Sequence, residues 1–184
     1  MTESRAIDVS TVLMTQNPKF DESFTTLMRD YSQSARAFCA RMLGSLDEGE
    51  EVTQKTFARL YEQQNDLSTV ENVRPYLFGV LRNACFDHLR SRQALDQHEL
   101  PREAVEFELS GLEREEINVE IHKAVTELEA SYREVVLLRF FEGLSLAEVA
   151  QVTESSVGAV AMKLSRAKAT LKSLLKGLPV FRDL

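Results

Sequence analysis

A chain of 184 residues is long enough for one ordinary domain or two small ones, and its 43% hydrophobic content supplies a real core and argues against wholesale disorder. The absence of Trp, with 4 Pro and 7 Gly, favours helices over a turn-rich sheet protein. A net charge of -7 excludes a general polyanion binder, yet the charge is uneven: residues 96–118 carry 8 acidic and 2 basic side chains, whereas residues 119–184 carry 8 acidic and 9 basic.

Residues 1–19 read as a loose leader. They lack a basic start followed by a long apolar core, so no secretory signal is expected, and no stretch is apolar enough to span a membrane. A cytoplasmic location is the expectation. From Phe20, apolar residues fall at helical spacing through Phe24, Leu27, Met28, Tyr31, Ala35, Phe38, Cys39 and Met42, and Gly44 ends the run. The next segment, DEGEEVTQKTFARLYEQQ, opens on acids that suit a helix N-terminus, and its apolar side is Val52, Thr56, Phe57, Leu60 and Tyr61. A polar connector, QNDLSTVEN, offers Ser68 and Glu71 as a capping box, and Pro75 suits a first helical turn.

The third helix, VRPYLFGVLRNACFDHLRSR, sets Asn83, Asp87 and Arg90 on one wet strip, with Arg82 beside it and Tyr76 near its start. A basic helix with an accessible ring suits single-stranded DNA, because rings stack on unpaired bases and arginines follow the backbone. The competing reading is a core helix with a solubilising rind. Between Gln93 and Asn118 the pattern weakens into an acidic linker, with one short helix expected around Ala104–Leu109. Cys39 and Cys85 form no CxxC pair and read as packed thiols, with a redox pair as the alternative. His88, His98 and His122 show no ligand or triad spacing, so no metal, cofactor or catalytic role is expected.

After the linker, Leu128, Tyr132, Val135 and Leu138 mark one helix, which Glu142-Gly143 breaks. Ser145 with Glu148 forms a capping box for a short helix burying Leu146, Val149 and Ala150. The turn Thr153-Glu154-Ser155 leads to Ser156, the cap of a last helix burying Val157, Val160, Leu164, Ala167 and Leu171. Short helix, tight turn, longer helix is the outline of a helix-turn-helix, whose second helix enters the major groove. Its outward residues would be Ala159, Met162, Lys163 and Arg166. A plain helical hairpin is the alternative.

Two blocks together resemble the extracytoplasmic function (ECF) group of bacterial RNA polymerase sigma factors, in the sigma-70 superfamily. In the first block Gln54, Thr56, Phe57, Leu77, Arg82, Asn83, Asp87 and Arg90 match the family's pattern. In the second, Ser156, Val157, Gly158, Val160, Leu164, Arg166 and Ala167 match its S-V-G-T-V-K-S-R-L-x-R-A core. The resemblance implies an all-α protein of two small helical domains, a sigma-2-like bundle over residues 20–95 and a sigma-4-like helix-turn-helix domain over residues 119–184, joined by an acidic linker at 96–118. It implies that Gln54, Thr56, Phe57, Leu60 and Tyr61 dock on the clamp helices of core RNA polymerase. It assigns Asn65, Ser68, Thr69, Tyr76, Arg82, Asn83 and Arg90 to the -10 element, including capture of a base from the melted strand. Ser156, Ala159, Met162, Lys163 and Arg166 would read the -35 duplex, and the second domain would also meet the polymerase flap tip. An anti-sigma factor is an implied partner. The protein would direct polymerase to promoters and assist melting without breaking a covalent bond itself; a stand-alone helix-turn-helix regulator is the rival.

Departures from the pattern are specific. Tyr76 stands where the family often has Trp, and Lys55 where it often has an acid. Ala159, Ala161, Met162 and Lys163 replace the usual Thr, Lys, Ser and Arg, and Glu154 replaces the usual turn Gly. Few or apolar -35 contacts are expected, and with them an unusual -35 sequence preference or heavier reliance on the -10 element.

Overall fold

The computed structural model describes residues 18–63, 70–95 and 112–176. It is all-α, with no strand among the described residues. The short helix expected around Ala104–Leu109 and the loop holding Asn65, Ser68 and Thr69 lie outside these residues.

Helix α1 spans Pro18–Leu43, α2 Leu46–Glu62 and α3 Val73–Leu95. Helix α1 turns its buried stripe of Leu27, Ala35, Phe38, Cys39 and Met42 inward, as its spacing predicts. It stops at Gly44, whose φ of +73° costs an L side chain but not glycine, and whose N–H bonds Ala40 O at 2.8 Å. Ser45 then caps α2 by accepting the Glu48 N–H. The two helices cross very closely at Gly49, where a Cβ would lie 2.5 Å from Ala40 Cα. Helix α3 completes the bundle: the Phe38 and Phe78 rings meet edge-on at 5.3 Å, with Leu77 and Leu81 fully buried alongside. Cys39 and Cys85 are free thiols packed in this core. Interaction between the two thiols lowers the Cys39 pKa, whereas that interaction and burial push Cys85 well up.

Helix α4, Leu112–Glu127, begins inside the stretch read as linker, ahead of the domain start expected near Val119. The single helix expected over Leu128–Leu138 is instead α5, Ala130–Val136, running into a π-helical turn at Leu137–Phe141. Glu142 N–H reaches back five residues to Leu137 O at 2.9 Å, and Gly143 (φ +66°) then releases the chain. The predicted capping box is present on α6, Leu146–Val152. Glu148 N–H donates to Ser145 Oγ at 3.2 Å, and Ser145 N–H to the Glu148 carboxylate at 2.8 Å. These hydrogen bonds hold the Glu148 carboxyl below its ordinary range. The tight turn after α6 puts Glu154 at φ +51°, in the left-handed region. Ser156 caps α7, Val157–Leu174, as expected. Val160, Leu164 and Ala167 are buried on it, but Val157 is 47% exposed because it lies in the first turn, beyond the reach of the core.

Buried hydrophobic residues from both halves form one continuous cluster, from Leu27 in α1 to Ala167 in α7. Helix α6 lies on α3, and α4 and α5 lie on α1. Arg133 of α5 is a polar clasp across this junction: its guanidinium donates to the carbonyls of Met42, Thr126 and Leu128.

Candidate nucleic-acid interface

Helices α2 and α3 enclose a groove of about 460 Å³. Its floor includes Thr56 and Leu60, and its walls include Lys55, Arg59, Tyr76, Asn83 and Asp87. This geometry sorts the expected polymerase-docking set. Gln54 is exposed, but Thr56, Phe57 and Leu60 are at most 5% exposed and belong to the core of the bundle. The Thr56 hydroxyl is spent on Val52 O, one turn back, and the Tyr61 hydroxyl donates to Asp21 at 3.2 Å. Their apolar spacing marks the inner face of α2. The outer face carries Gln54, Lys55 and Arg59, of which Arg59 was not singled out in sequence.

Helix α3 does bring the wet strip together. Asn83, Asp87 and Arg90 are exposed, and Tyr76 is half-buried at the groove, where a ring can still present an edge. Arg90 is ion-paired with Asp87 on the surface, a contact of small energetic consequence. Arg82 is placed differently from the expectation of an available cation. Its Nε donates to the Glu134 carboxylate at 2.5 Å, another of its nitrogens donates to Asn83 at 3.0 Å, and its guanidinium lies over Phe86.

On α7, Met162 is 57% exposed and Arg166 is exposed, which suits an outward face; Ala159 is half-buried. The Ser156 hydroxyl accepts the Ala159 N–H and so is already engaged as a cap. Lys163 reaches back to Glu134 at 3.4 Å. Glu134, 1% exposed, is therefore the common partner of Arg82 and Lys163. No sequence signal singles it out, since its partners lie 52 and 29 positions away.

A second buried acid, Glu142, lies 3.9 Å from Arg74. Burial raises its pKa to about 7, although Arg74 and Arg41 pull the other way. Close by, His122 accepts a hydrogen bond from Arg41, and burial and that cation lower its pKa to about 4. Among the described residues no group of three or more His, Cys, Asp or Glu is placed to hold a metal, and no helix is long and apolar enough to cross a membrane.

Family comparisons coincide with the two halves. The model of sigma-70 region 2 matches residues 27–95, and a model of sigma-70 region 4 matches residues 118–171. The chain belongs to the ECF sigma factors of the sigma-70 superfamily. It is an alternative sigma factor, which directs RNA polymerase to promoters and is not an enzyme. Among its relatives is the ECF sigma factor SigW of Bacillus subtilis (strain 168), 24% identical over 178 residues, covering 85% of this chain and 91% of that one. The sigma-H factor of Pseudomonas aeruginosa is 25% identical over 174 residues, covering 88% and 89%. Among solved structures, the sigma factor RpoE of Bartonella quintana, crystallised with the anti-sigma factor NepR, superposes with a TM-score of 0.73 at 25% identity, covering 84% of this chain and 98% of that one. CnrH, in complex with the cytosolic domain of CnrY, gives 0.62 at 26% identity, covering 86% and 90%.

Proposed function

We propose that this ECF sigma factor engages core RNA polymerase through the outer face of α2, melted -10 DNA through the groove and wet strip of α3, and -35 duplex through α7. The reading rests chiefly on one observation: an open groove of mixed polar and apolar lining between α2 and α3 and a capped helix-turn-helix occur in one chain, in the order of regions 2 and 4. Gln54, Lys55 and Arg59 are the accessible docking side chains, over a floor of Thr56 and Leu60. Tyr76 supplies a stacking ring, and stacked bases are worth about 1–3 kcal/mol each, which offsets the cost of unpairing. Asn83 offers both a donor and acceptor to a base edge, and Arg82 a cation to the strand backbone once released from Glu134. On α7, Met162 offers an apolar contact to a thymine methyl, while Lys163 and Arg166 meet phosphate.

Two solved relatives are complexed with an anti-sigma factor or with a partner's cytosolic domain. We infer that this chain has an anti-sigma partner of its own, and that it works in the cytoplasm beside polymerase. Residues 20–95 and 119–184 are the functional units in this reading, joined by the acidic stretch. The deciding experiment is transcription in vitro with purified core, with and without this protein, on a library of genomic fragments. Promoter-specific transcripts that depend on the protein are expected. Duplex binding as an isolated dimer, with no dependence on core, would instead favour a stand-alone regulator.

A further inference from the structure

Helix α7 lacks, at its exposed start, the side chains with which a recognition helix ordinarily reads purines. A helix-turn-helix sets the N-terminal turns of its second helix against base edges in the major groove. In the first two turns of α7 the exposed residues are Val157, Gly158, Ala161 and Met162. None carries an N–H or O–H donor on its side chain, nor an amide or a carboxylate. The Ser156 hydroxyl is engaged as the cap, and Lys163 is half-buried and turned to Glu134 at 3.4 Å. Arg or Lys bidentate to guanine, Asn or Gln to adenine and an acid to cytosine are therefore all missing from this strip. Val157 and Met162 instead leave large apolar side chains in solvent, 47% and 57% exposed. One base-edge group in the major groove is apolar, the C5-methyl of thymine, and it matches such a strip. Ala161 and Gly158, where an added Cβ would find only Ser156 Oγ nearby at 3.9 Å, keep the strip shallow, so the helix can lie close to the groove floor.

We propose that α7 reads the -35 element through thymine methyl groups, with Val157, Ala161 and Met162 as the specificity-determining residues. The inference rests on the reading that α7 lies on -35 duplex, and it extends that contact from Met162 to the whole strip. Arg166, exposed one turn further on, supplies attraction to phosphate that carries no sequence information. Removing one methyl from water corresponds to about 3–5-fold in affinity. Uracil, which is thymine without the methyl, is then a poor substitute although its hydrogen-bonding edge is the same. 5-Methylcytosine is a good one: it sets a methyl at the same point of the groove, and the strip has no donor or acceptor to detect its amino edge. Cytosine methylation within a -35 element therefore raises its affinity for this sigma factor.

The test uses holoenzyme assembled from purified core and the full chain. Duplexes randomised through the -35 and -10 segments are selected by binding and sequenced, and thymine on either strand should be enriched in the -35 segment. The best-bound duplex is then remade with deoxyuridine at the -35 thymines, with cytosine there paired to guanine, and with 5-methylcytosine in the same pairing. The uracil and cytosine forms should bind at least about 5-fold more weakly, and 5-methylcytosine should recover most of the loss. Met162→Ala, at an exposed position, should weaken binding to the thymine duplex about 3–5-fold and to the uracil duplex less than about 2-fold, a difference that a folding defect would not produce. Equal affinity for the thymine and uracil forms, an equal loss on both with Met162→Ala, or selection of guanine without thymine overturns methyl readout. If Arg166→Ala still lowers binding in that case, α7 lies on the duplex and only the methyl readout falls. If Arg166→Ala is also without effect, the placement of α7 on -35 duplex falls with it.

Discussion

Glu142→Gln isolates the one carboxylate among the described residues whose pKa is raised to near neutral pH. Its pKa is about 7 in the folded protein against an ordinary 4.5, because burial penalises the ionised form more than Arg74 and Arg41 favour it. A folded pKa above the unfolded one means that Glu142 favours the fold fully only below about pH 4.5. That contribution is lost progressively as pH rises through about 7. At about 1.4 kcal/mol per tenfold change in proton affinity, the whole gap corresponds to roughly 3 kcal/mol. For a chain of this size that is about 6–12 °C in Tm. Glutamine keeps the shape and carries no charge, so the variant should melt several degrees higher than the parent at pH 8.5 and within about 2 °C of it at pH 5. Thermal melts followed by far-UV circular dichroism, at half-unit steps from pH 5 to 8.5, measure both curves. Equal slopes for parent and variant across that range would show that Glu142 is not the buried acid that the structure makes it, and would refute the reasoning.

Three other perturbations follow from the geometry. Glu154→Gly relieves a left-handed backbone position in the helix-turn-helix turn and should stabilise the protein by about 0.5–1 kcal/mol, read as a higher urea midpoint at unchanged slope; a lower midpoint would mean that the side chain has a structural partner. Gly49→Ala places a methyl against the Ala40 backbone and should cost about 1–3 kcal/mol in the same assay, whereas a neutral result would show that α1 and α2 can move apart freely. Arg166→Ala should weaken holoenzyme binding to -35 promoters and reduce the log-log salt slope by about one; an unchanged slope would assign Arg166 to a solvated face.

Local features of this protein were legible from residue order alone. Gly44, Ser145–Glu148 and Ser156 act within one helical turn, so the chemistry that stops or starts a helix is written in neighbours. The inward stripe of α1 was equally plain, because burial repeats with the helix period. The substitution of Glu154 for a turn glycine also carried its meaning in sequence: the structure gives that residue the positive φ which glycine would take without strain.

Tertiary structure alone decided which polar residues are available. Thr56, Phe57 and Leu60 match the docking pattern, yet they face the bundle, since a periodic apolar set marks the face that packs and says nothing of the face a partner sees. Arg82 and Lys163 look equally solvated in sequence, and only the approach of α3, α5 and α7 joins them at Glu134. Glu142 titrates near neutrality for the same reason: desolvation depends on what covers a carboxylate, and its cover comes from segments far away along the chain. Helix identity is a short-range property of the backbone, whereas charge pairing and burial are set by contacts between distant segments, which residue order does not reveal.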